Sequence, residues 1–302
     1  MNQSLVSVVI PTYSRPDNIT RAIDSVLAQT YKNVEIIVVD DNGVGTPYQL
    51  DTERVLEDYI KQGKVSYLKH EVNKNGSAAR NTGIYASKGD FIALLDDDDS
   101  FYKDKLNKQV EYLQKNKEYD AAYCYITTKG VVAKSSGKEG NLAPDVLLMT
   151  CFLQTSTLLF RREALLDIQG FDETFIRHQD YEMLLRFFKK GHQIGCVKEV
   201  LAVYGDNKGM NVPNGEKLER IKDKYLQTFD DYIRELDKCR FCFHSTVYAI
   251  HYMQVFICYA KERKYRRAVR IWAKYLILRP DVFLFFFLKK LIFRYRVCRE
   301  RG

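Results

Sequence analysis

The sequence predicts an α/β fold in which a mostly parallel central sheet carries helices on both faces. First, short β-branched apolar runs alternate with helical patterns over the first hundred residues. Second, two of these runs end directly in clusters of Asp residues. Third, 46% apolar and 28% charged residues in a chain of 302 are the proportions of an ordinary globular protein with a sizeable core. In sheets of this kind, ligands bind beyond the carboxyl ends of the strands.

The elements of the first hundred residues follow from the spacing of apolar side chains. Four short runs are predicted as strands, at Val6 to Ile10, Val34 to Val39, Val65 to Leu68 and Phe91 to Leu95, and all but the third as buried strands. Three helical patterns lie between them, after Pro16, at Leu50 to Ile60 and at Gly76 to Ser87. Because parallel strands need a crossover connection, usually a helix, this alternation predicts a parallel sheet.

The next hundred residues continue the pattern less regularly. A helix is predicted at Leu106 to Asn116 and an amphipathic helix at Gln179 to Lys190, which Gly191 ends. Strands are predicted at Ala121 to Ile126, Ser156 to Phe160, Gln193 to Val197 and Leu201 to Tyr204. We therefore expect a main domain over residues 1–205, a flexible linker over 206–215 rich in Gly, Asn and Pro, and a basic, aromatic-rich helical region over 216–302.

The positive charge of the chain is concentrated at its end. The net charge is +8, but the residues from Lys261 onward hold 14 Lys and Arg against three Asp and Glu. The rest of the chain is therefore slightly acidic, which argues against nucleic-acid binding by the main domain. The tail also lacks any recognisable nucleic-acid-reading motif, so we expect a basic appendage that contacts an anionic surface.

Cysteine content and the N-terminal sequence favour a reducing cytosol. The seven cysteines are scattered, and no signal peptide precedes the first predicted strand. Cys239 and Cys242, with His244 nearby, could form half of a metal site, but no second pair completes it, so a reduced pair is favoured. No run of about 18 apolar residues predicts a spanning helix.

Four consecutive carboxylates, Asp96 to Asp99, follow the strand at Phe91 to Leu95. Side chains alternate along a strand, so Asp96 and Asp98 are expected to face the same way. Adjacent carboxylates repel one another unless a cation is present, and Mg²⁺ and Mn²⁺ prefer such oxygen ligands. We favour a divalent metal site over the alternative, a solvated acidic turn.

Asp40 and Asp41 end the strand at Val34 to Val39 in the same way. A carboxylate at this depth can accept a hydrogen bond from the N3–H of uracil or from ribose hydroxyls. An Asp that caps the following helix is an equally good reading from the residues alone.

Taken together, these segments resemble the nucleotide-binding half of family 2 glycosyltransferases with the GT-A fold, which is Rossmann-like. The resemblance runs from residue 5 to about residue 204 and does not cover the tail. It rests on seven segments in the family's order and spacing: Val6 to Tyr13, Gln29 to Tyr31, Glu35 to Asp41, Gly76 to Gly83, Asp96 to Asp99, Phe171 to Glu173 and Gln179 to Tyr181.

The resemblance implies a set of donor-binding residues. Pro11, Thr12 and Tyr13 would line the base pocket, with Tyr13 stacking on uracil, and Asp41, beside Asp40, would accept from the uracil ring. Arg15 and Arg80 would approach the base and the diphosphate. Asp96 and Asp98 are similar to the ends of the family's metal motif, with Asp98 the direct ligand of Mn²⁺ or Mg²⁺ and Asp97 nearby.

Asp180 is similar to the general base of the family. A carboxylate at a helix start can take the acceptor proton as the hydroxyl attacks C1 of the sugar. Attack opposite the leaving group inverts the anomeric centre. The alternative reading of Asp180 by itself is a charge at a helix N-terminus.

Two positions depart from the family's pattern. Gln179 stands where the family usually has Glu before the base, and His178 precedes it. The segment Gly205 to Lys208 replaces a loop that often carries Arg and His near the diphosphate, with Lys208 the available substitute charge.

The end of the chain combines an apolar run with basic residues. Val282 to Leu288 is densely apolar and is followed by Lys289, Lys290, Arg294, Arg296, Arg299 and Arg301. This pattern favours an amphipathic helix on an anionic membrane surface. A helical cap on the catalytic domain and a homo-oligomer contact remain alternatives.

The sequence therefore predicts a non-processive, inverting, metal-dependent glycosyltransferase that uses a UDP-sugar. We expect a saccharide acceptor on a lipid carrier, in capsule, exopolysaccharide or O-antigen assembly, and a cytoplasmic location at the inner face of the cell membrane. A sugar nucleotidyltransferase is disfavoured because Thr12 to Pro16 is not a glycine-rich triphosphate loop. A catalytically inactive nucleotide-sugar or membrane-surface binding module is the alternative from another class, and Gln179 is its main support.

Overall fold

The computed structural model describes residues 3–128, 130–133, 136–205, 213–277 and 279–285. The chain divides into two compact units. The first unit comprises Met1–Val146 and Thr150–Lys208, and the second comprises Leu147–Met149 and Gly209–Gly302. Residues 206–212 of the predicted linker, Lys208 among them, lie outside the described residues.

Four parallel strands form the first half of the sheet in the first unit, in the order β3-β2-β1-β4. They are β1 (Val6–Thr12), β2 (Val34–Asp40), β3 (Ser66–Lys69) and β4 (Phe91–Leu94). The crossover helices are α1 (Pro16–Leu27), α2 (Pro47–Lys61) and α3 (Gly76–Ala86). The predicted α/β fold and the four predicted strands are confirmed. Strand order reverses at β1, and this is where such sheets bind ligands.

Both faces of the parallel half are covered by helices, as predicted. Val8 and Ile10 belong to the main core with Ile23 of α1, and all three side chains are fully buried. The alternate residue Val9 faces α3, where a Cβ on Gly83 would lie 2.3 Å from its Cγ1. A glycine is therefore needed at position 83, because any side chain there would clash with the sheet. The close approach that glycine allows fixes the position of the α3 N-terminus.

The second half of the sheet mixes strand directions. Its elements are β5 (Ser100–Phe101), α4 (Lys105–Lys115), β6 (Ala121–Thr128), β7 (Val131–Ala133), α5 (Ala143–Leu147), a 3₁₀ turn (Thr155–Thr157), β8 (Leu158–Arg161), α6 (Arg162–Asp167), α7 (Gln179–Lys189) and β9 (Ile194–Val203). The strand order continues from β4 as β8-β6-β9-β5. β8 runs antiparallel to both β4 and β6, whereas β6 and β9 are parallel.

One predicted pair of strands is a single strand in the structure. The runs predicted at 193–197 and 201–204 join as β9, which pairs with β6 across irregularities on either side of Tyr125. A bulge explains the error, because it shifts the alternation of buried and exposed side chains without ending the strand.

The second unit is helical over its described residues. It contains α8 (Gly215–Thr228), α9 (Asp230–Asp237), α10 (Phe243–Lys261), α11 (Tyr265–Ile271) and a π-helical turn (Trp272–Leu276). A small core forms around Met253, Leu276 and Val282. Within the described residues, no helix combines the length and hydropathy needed to cross a bilayer. The predicted basic positions Lys289 to Arg301 lie outside the described residues.

Candidate active site

A crevice of about 420 Å³ lies at the carboxyl ends of β1, β2 and β4. It gathers side chains from segments that are up to 87 positions apart in the sequence. Its lining residues are Pro11, Thr12, Tyr13, Arg15, Asp41, Asn73, Asn75, Gly76, Ala79, Arg80, Asp96, Asp97 and Asp98. Nine of the eleven predicted site residues are in this set, and Asp40 and Asp180 are the two that are not.

Asp41 anchors one wall of the crevice. Its carboxylate accepts hydrogen bonds from His70 Nδ1 at 2.7 Å and Asn73 Nδ2 at 2.9 Å. It also accepts from the backbone N–H groups of Lys74 at 2.8 Å and Asn75 at 2.9 Å. The carboxylate thus fixes the loop after β3, in addition to its predicted role toward the base, which stays a prediction.

Asp40 points away from the crevice and is fully buried. It accepts hydrogen bonds from the Tyr67 hydroxyl at 2.6 Å and the Asn42 backbone N–H at 2.8 Å. Burial raises the pKa of this carboxyl, and the hydrogen bonds from Tyr67 and Asn42 oppose that rise. The geometry therefore gives Asp40 a supporting role behind Asp41.

Sequence reasoning missed His70, which is buried behind Asp41. Its second ring nitrogen, Nε2, lies 2.8 Å from the Thr82 hydroxyl, so the ring bridges the ends of β2 and the middle of α3. No local pattern marks this residue, because its partners are 29 and 12 positions away in the sequence.

The loop Asn73 to Gly76 was also missed, although Asn-Lys-Asn-Gly before a helix is a recognisable turn signal. Asn75 has a φ of 97°, a region that favours glycine, and its side chain caps α3 by accepting from Ser77 N–H at 2.9 Å. Asn73 gives both amide hydrogens to Asp41, at 2.9 and 3.0 Å. Asn73 therefore ties this part of the crevice wall to both the main chain and the carboxylate of Asp41.

The N-terminus of α3 faces the crevice through Gly76, Ala79 and Arg80. Asn75 Oδ1 already accepts hydrogen bonds from the N–H groups of Ser77 and Ala78, so this helix end favours an anion such as diphosphate through its dipole. A Cβ on Gly76 would lie 3.1 Å from Arg80 Nη1, so a side chain there would crowd the guanidinium.

Arg80 carries a buried positive charge into the crevice. Its Nη2 lies 2.6 Å from Asp96 Oδ1 and its Nη1 donates to Gln179 Oε1 at 3.0 Å. Its Nε is buried and has no hydrogen-bond partner among the described residues. Because Gln179 is neutral, Asp96 is the one carboxylate that pairs with this guanidinium among the described residues.

Asp97 and Asp99 are buried carboxyls with strongly raised pKa values. Burial is the main cause at both, and it raises the pKa of each to about 7. The Thr12 hydroxyl donates to Asp97 at 2.9 Å, and the Gly205 N–H donates to Asp99 Oδ1 at 2.8 Å. The other oxygen of Asp99 is buried without a partner among the described residues.

Asp98 is held by Arg15, whose Nη1 forms an ion pair with its Oδ2 and lies 3.4 Å from Asp97 Oδ1. Arg15 follows Ser14, a non-glycine residue with a φ of 57°, whose N–H donates to Asn42 Oδ1 at 2.7 Å. The turn therefore aims the Arg15 guanidinium into the acidic cluster. Tyr13, one residue earlier, keeps 54% of its surface exposed, which leaves its ring free to stack on a base.

The acidic cluster fits a divalent cation by the chemistry of its donors. Asp96, Asp97 and Asp98 all line the crevice, and carboxylate oxygens are the ligands that Mg²⁺ and Mn²⁺ prefer. Burial first, and the neighbouring carboxylates Asp96 and Asp98 second, raise the pKa values of Asp97 and Asp99, and a bound cation would oppose both causes. No group of three or more metal-ligating side chains is preassembled within the described residues.

Asp180 is the second residue of α7 and is electrostatically coupled to Arg80 and Asp96. Burial raises its pKa to about 6, Arg80 lowers it and Asp96 raises it. The residue before α7, His178, has a φ of 58°, so the chain enters the helix through a constrained turn. The carboxyl is therefore positioned beside the rim of the crevice with a pKa close to neutral.

Comparison with protein families gives a match over most of the first unit. The model of Glycosyl transferase family 2 matches residues 7–190. The chain is similar to the amylovoran biosynthesis glycosyltransferase AmsB of Erwinia amylovora, with 31% identity over 209 residues that cover 66% of this chain and 68% of that protein.

A second relative and a solved structure agree with this match. The UDP-Glc:alpha-D-GlcNAc-diphosphoundecaprenol beta-1,3-glucosyltransferase WfaP of Escherichia coli is 30% identical over 190 residues, which cover 62% of this chain and 71% of that protein. The mannosyltransferase PcManGT of Pyrobaculum calidifontis, solved with GDP-Man and Mn²⁺, gives a TM-score of 0.59 at 17% identity, over 86% of this chain and 76% of that one. At this identity the likeness supports the GT-A fold.

Proposed function

The chain belongs to glycosyl transferase family 2 and is a glycosyltransferase, and on that premise we propose that it moves one sugar per encounter from a UDP-sugar to an acceptor hydroxyl. The observation that carries this proposal is the crevice, in which a recognition wall around Asp41 faces the acidic cluster Asp96 to Asp98. Each part matches one requirement of transfer from a sugar diphosphate.

The wall around Asp41 holds the nucleoside. Tyr13 offers an exposed ring for stacking, and Asn73 and Asp41 offer acceptor oxygens to a ring N–H such as N3–H of uracil. The name of WfaP specifies a UDP-sugar donor, which supports uracil. PcManGT was solved with GDP-Man, so guanine is the competing base.

Arg80, Arg15 and the N-terminus of α3 bind the diphosphate. The side chain of Arg80 is held in place by Asp96 and Gln179, so little of its conformational entropy remains to be lost on binding. Asp96 and Asp98, with Asp97 nearby, would hold Mn²⁺ or Mg²⁺. When bound, the cation neutralises charge that develops on the departing diphosphate. The Mn²⁺ in the PcManGT complex supports this assignment.

Asp180 acts as the general base. Its carboxylate takes the proton of the acceptor hydroxyl while the hydroxyl oxygen forms a bond to C1 of the sugar. The bond from C1 to the diphosphate oxygen breaks, and UDP leaves with that electron pair. Attack from the face opposite the diphosphate inverts the configuration at C1. A pKa of about 6 keeps Asp180 mostly deprotonated at neutral pH and still basic enough to accept a proton.

The acceptor is a saccharide on a lipid diphosphate carrier, in the assembly of a cell-surface polysaccharide. WfaP is named for a diphosphoundecaprenol acceptor, and AmsB for biosynthesis of amylovoran. An enzyme for such an acceptor works at the cytoplasmic face of the membrane. The predicted basic tail would help to hold it there, and an oligomer contact is its other predicted use.

The test is hydrolysis of a panel of UDP- and GDP-sugars by the purified chain, with and without Mn²⁺. We expect slow, Mn²⁺-dependent release of UDP from one donor, and loss of that release in Asp98→Ala. Asp51→Ala, at an exposed position on α2, is the matched control and should hydrolyse the donor as the wild type does. No release and no saturable nucleotide binding with any donor would contradict the proposal and favour an inactive binding module.

A further inference from the structure

A stripe of large exposed apolar side chains runs along α11 and onto the π-helical turn that follows it. Tyr265, Val269 and Trp272 are spaced i, i+4 and i+7, which places them on one side of a helix. Their surfaces are 63%, 60% and 38% exposed. The helix is therefore apolar on two sides, because Ala268 and Ile271 are buried on the other.

Scattered exposed apolar residues are normal, but these three share one helical face in a segment rich in cations. Residues 261–277 hold seven Lys and Arg against the single acid Glu262. Arg267 and Arg270 pair with Glu216 and Glu219 of α8. The exposed side chains of Arg263 and Arg266 have no ion pair among the described residues, so their charge is available to a partner, and the Lys274 ammonium contacts only the ring of Tyr275, at 4.8 Å.

The chemistry of the stripe identifies its partner. Trp and Tyr combine an apolar body with a polar atom, which suits the boundary between acyl chains and headgroups. Unpaired Lys and Arg beside them attract anionic headgroups. A second copy of this chain would bring the same cations against this face, and the tail beyond residue 285, with six Lys and Arg and one Glu, would also repel it.

We propose that Tyr265, Val269 and Trp272 form the membrane-docking face of the chain and insert at the surface of a bilayer that contains anionic lipid. The inference rests on the proposed function only in that a lipid-linked acceptor requires an enzyme at the bilayer. It adds a specific surface, within the described residues, to the contact predicted for the tail.

Trp272 is the only tryptophan in the sequence, so the intrinsic tryptophan fluorescence of the whole chain reports on this face. The experiment adds phosphatidylcholine vesicles, with or without phosphatidylglycerol, to the full chain. We expect a blue shift of the emission and co-sedimentation with the anionic vesicles only, both weakened by salt. Lipids brominated near the headgroup should quench the emission.

Val269→Asp tests the face while leaving the Trp272 reporter in place. It puts a carboxylate at an exposed position, so folding should be retained, and we expect vesicle binding to fall about tenfold or more. Arg266→Gln should weaken binding about fivefold. The matched control is Phe241→Asp, because Phe241 is 99% exposed in the same unit but outside the stripe, and its binding should equal that of the wild type.

Three outcomes would overturn the proposal. Unchanged binding by Val269→Asp would assign the contact to other residues, and equal loss in Phe241→Asp would show only a general effect of charge. A fluorescence shift with an oligonucleotide or an acidic protein but not with vesicles would identify a different partner. Donor hydrolysis in the absence of vesicles should be unchanged in Val269→Asp, so this test can fail independently of the proposed catalytic function.

Discussion

The carboxylates at the end of β2 and those at the end of β4 lie at the same edge of one sheet. The two groups differ in the hydrogen bonds and ion pairs that the protein gives them. Asp40 and Asp41 accept six hydrogen bonds from donors within the protein. Asp97 and Asp99 are buried with pKa values raised to about 7, and one oxygen of Asp99 has no partner among the described residues. Asp96 and Asp98 rely on Arg80 and Arg15.

This difference indicates a mainly structural role for Asp40 and Asp41 and a mainly chemical role for the cluster Asp96 to Asp99. The first pair accepts hydrogen bonds from the protein, and those to Asp41 fix the loop Asn73 to Gly76 while Asp41 still lines the crevice. In the second cluster and at Asp180, burial raises the pKa values of Asp97, Asp99 and Asp180, and such carboxyls are candidates to bind a cation or to accept a proton. Substitutions in the two groups should therefore fail in different ways.

The largest expected effect is at Asp180. In Asp180→Asn the side chain keeps its shape but cannot accept a proton, so donor hydrolysis should slow by about 10²- to 10⁴-fold. The dissociation constant for UDP should be unchanged, which isothermal titration calorimetry can measure on the same preparation. Hydrolysis at the wild-type rate would remove Asp180 from the role of base, and Asp51→Asn serves as the control.

The next largest effect is on the free energy of unfolding, and it distinguishes Asp41 from Asp98. Asp41→Asn leaves a buried amide where four donors need acceptors, so the free energy of unfolding should fall by about 2–4 kcal/mol. Asp98→Asn removes a charge from a crowded cluster, so without metal it should change that free energy by less than about 1 kcal/mol. Urea denaturation of both variants in a chelator checks this. A larger loss of unfolding free energy in Asp98→Asn than in Asp41→Asn would contradict the structural role assigned to Asp41.

The pH dependence follows from Asp180. A base must be deprotonated to act, and the pKa of this carboxyl is raised to about 6. The rate of donor hydrolysis should therefore rise about tenfold per pH unit below pH 6 and level off above it. A rate profile between pH 4.5 and 8, taken with saturating donor, would count against this assignment if it were flat through pH 6.

The smallest expected effect is at Gln179. Gln179→Glu would place a second carboxylate on Arg80 Nη1, which the amide now contacts at 3.0 Å. Part of the guanidinium charge would be compensated, so the dissociation constant for UDP should increase roughly three- to tenfold, with folding unaffected. Tighter binding of UDP by Gln179→Glu would show that a neutral residue at position 179 does not keep the positive charge of Arg80 available to the diphosphate. Gln62→Glu, at the exposed end of α2, controls for added charge.

Local patterns predicted the fold, the crevice edge and its Asp clusters, and family resemblance supplied the other residues of the crevice, among them Tyr13, Arg15 and Arg80. The alternation of strands and helices by itself predicts Asp41, Asp96 and Asp98 at one edge of the sheet. The different orientations of Asp40 and Asp41 could not be predicted, since adjacent residues at a strand end differ only in the direction of their side chains. Both residues are Asp, so their identity does not distinguish them.

The remaining differences have long-range causes. His70 and Asn73 acquire their roles from Asp41, about 30 positions earlier, and no periodicity records such contacts. β5 and β7 have two and three residues, too few for an alternation to be recognised. Because the pairing of β9 with β6 is bulged, the sequence pattern predicted two strands where the structure has one. Family resemblance supplied the role of Asp180, which its helix position alone would not have indicated.

The most direct test of the central claim is the affinity for UDP measured by calorimetry with and without Mn²⁺, in the wild type and in Asp98→Asn. If the acidic cluster holds the cation that binds the diphosphate, Mn²⁺ should tighten UDP binding by the wild type about tenfold or more and have little effect on Asp98→Asn. Equal affinities of the wild type with and without Mn²⁺ would contradict the account.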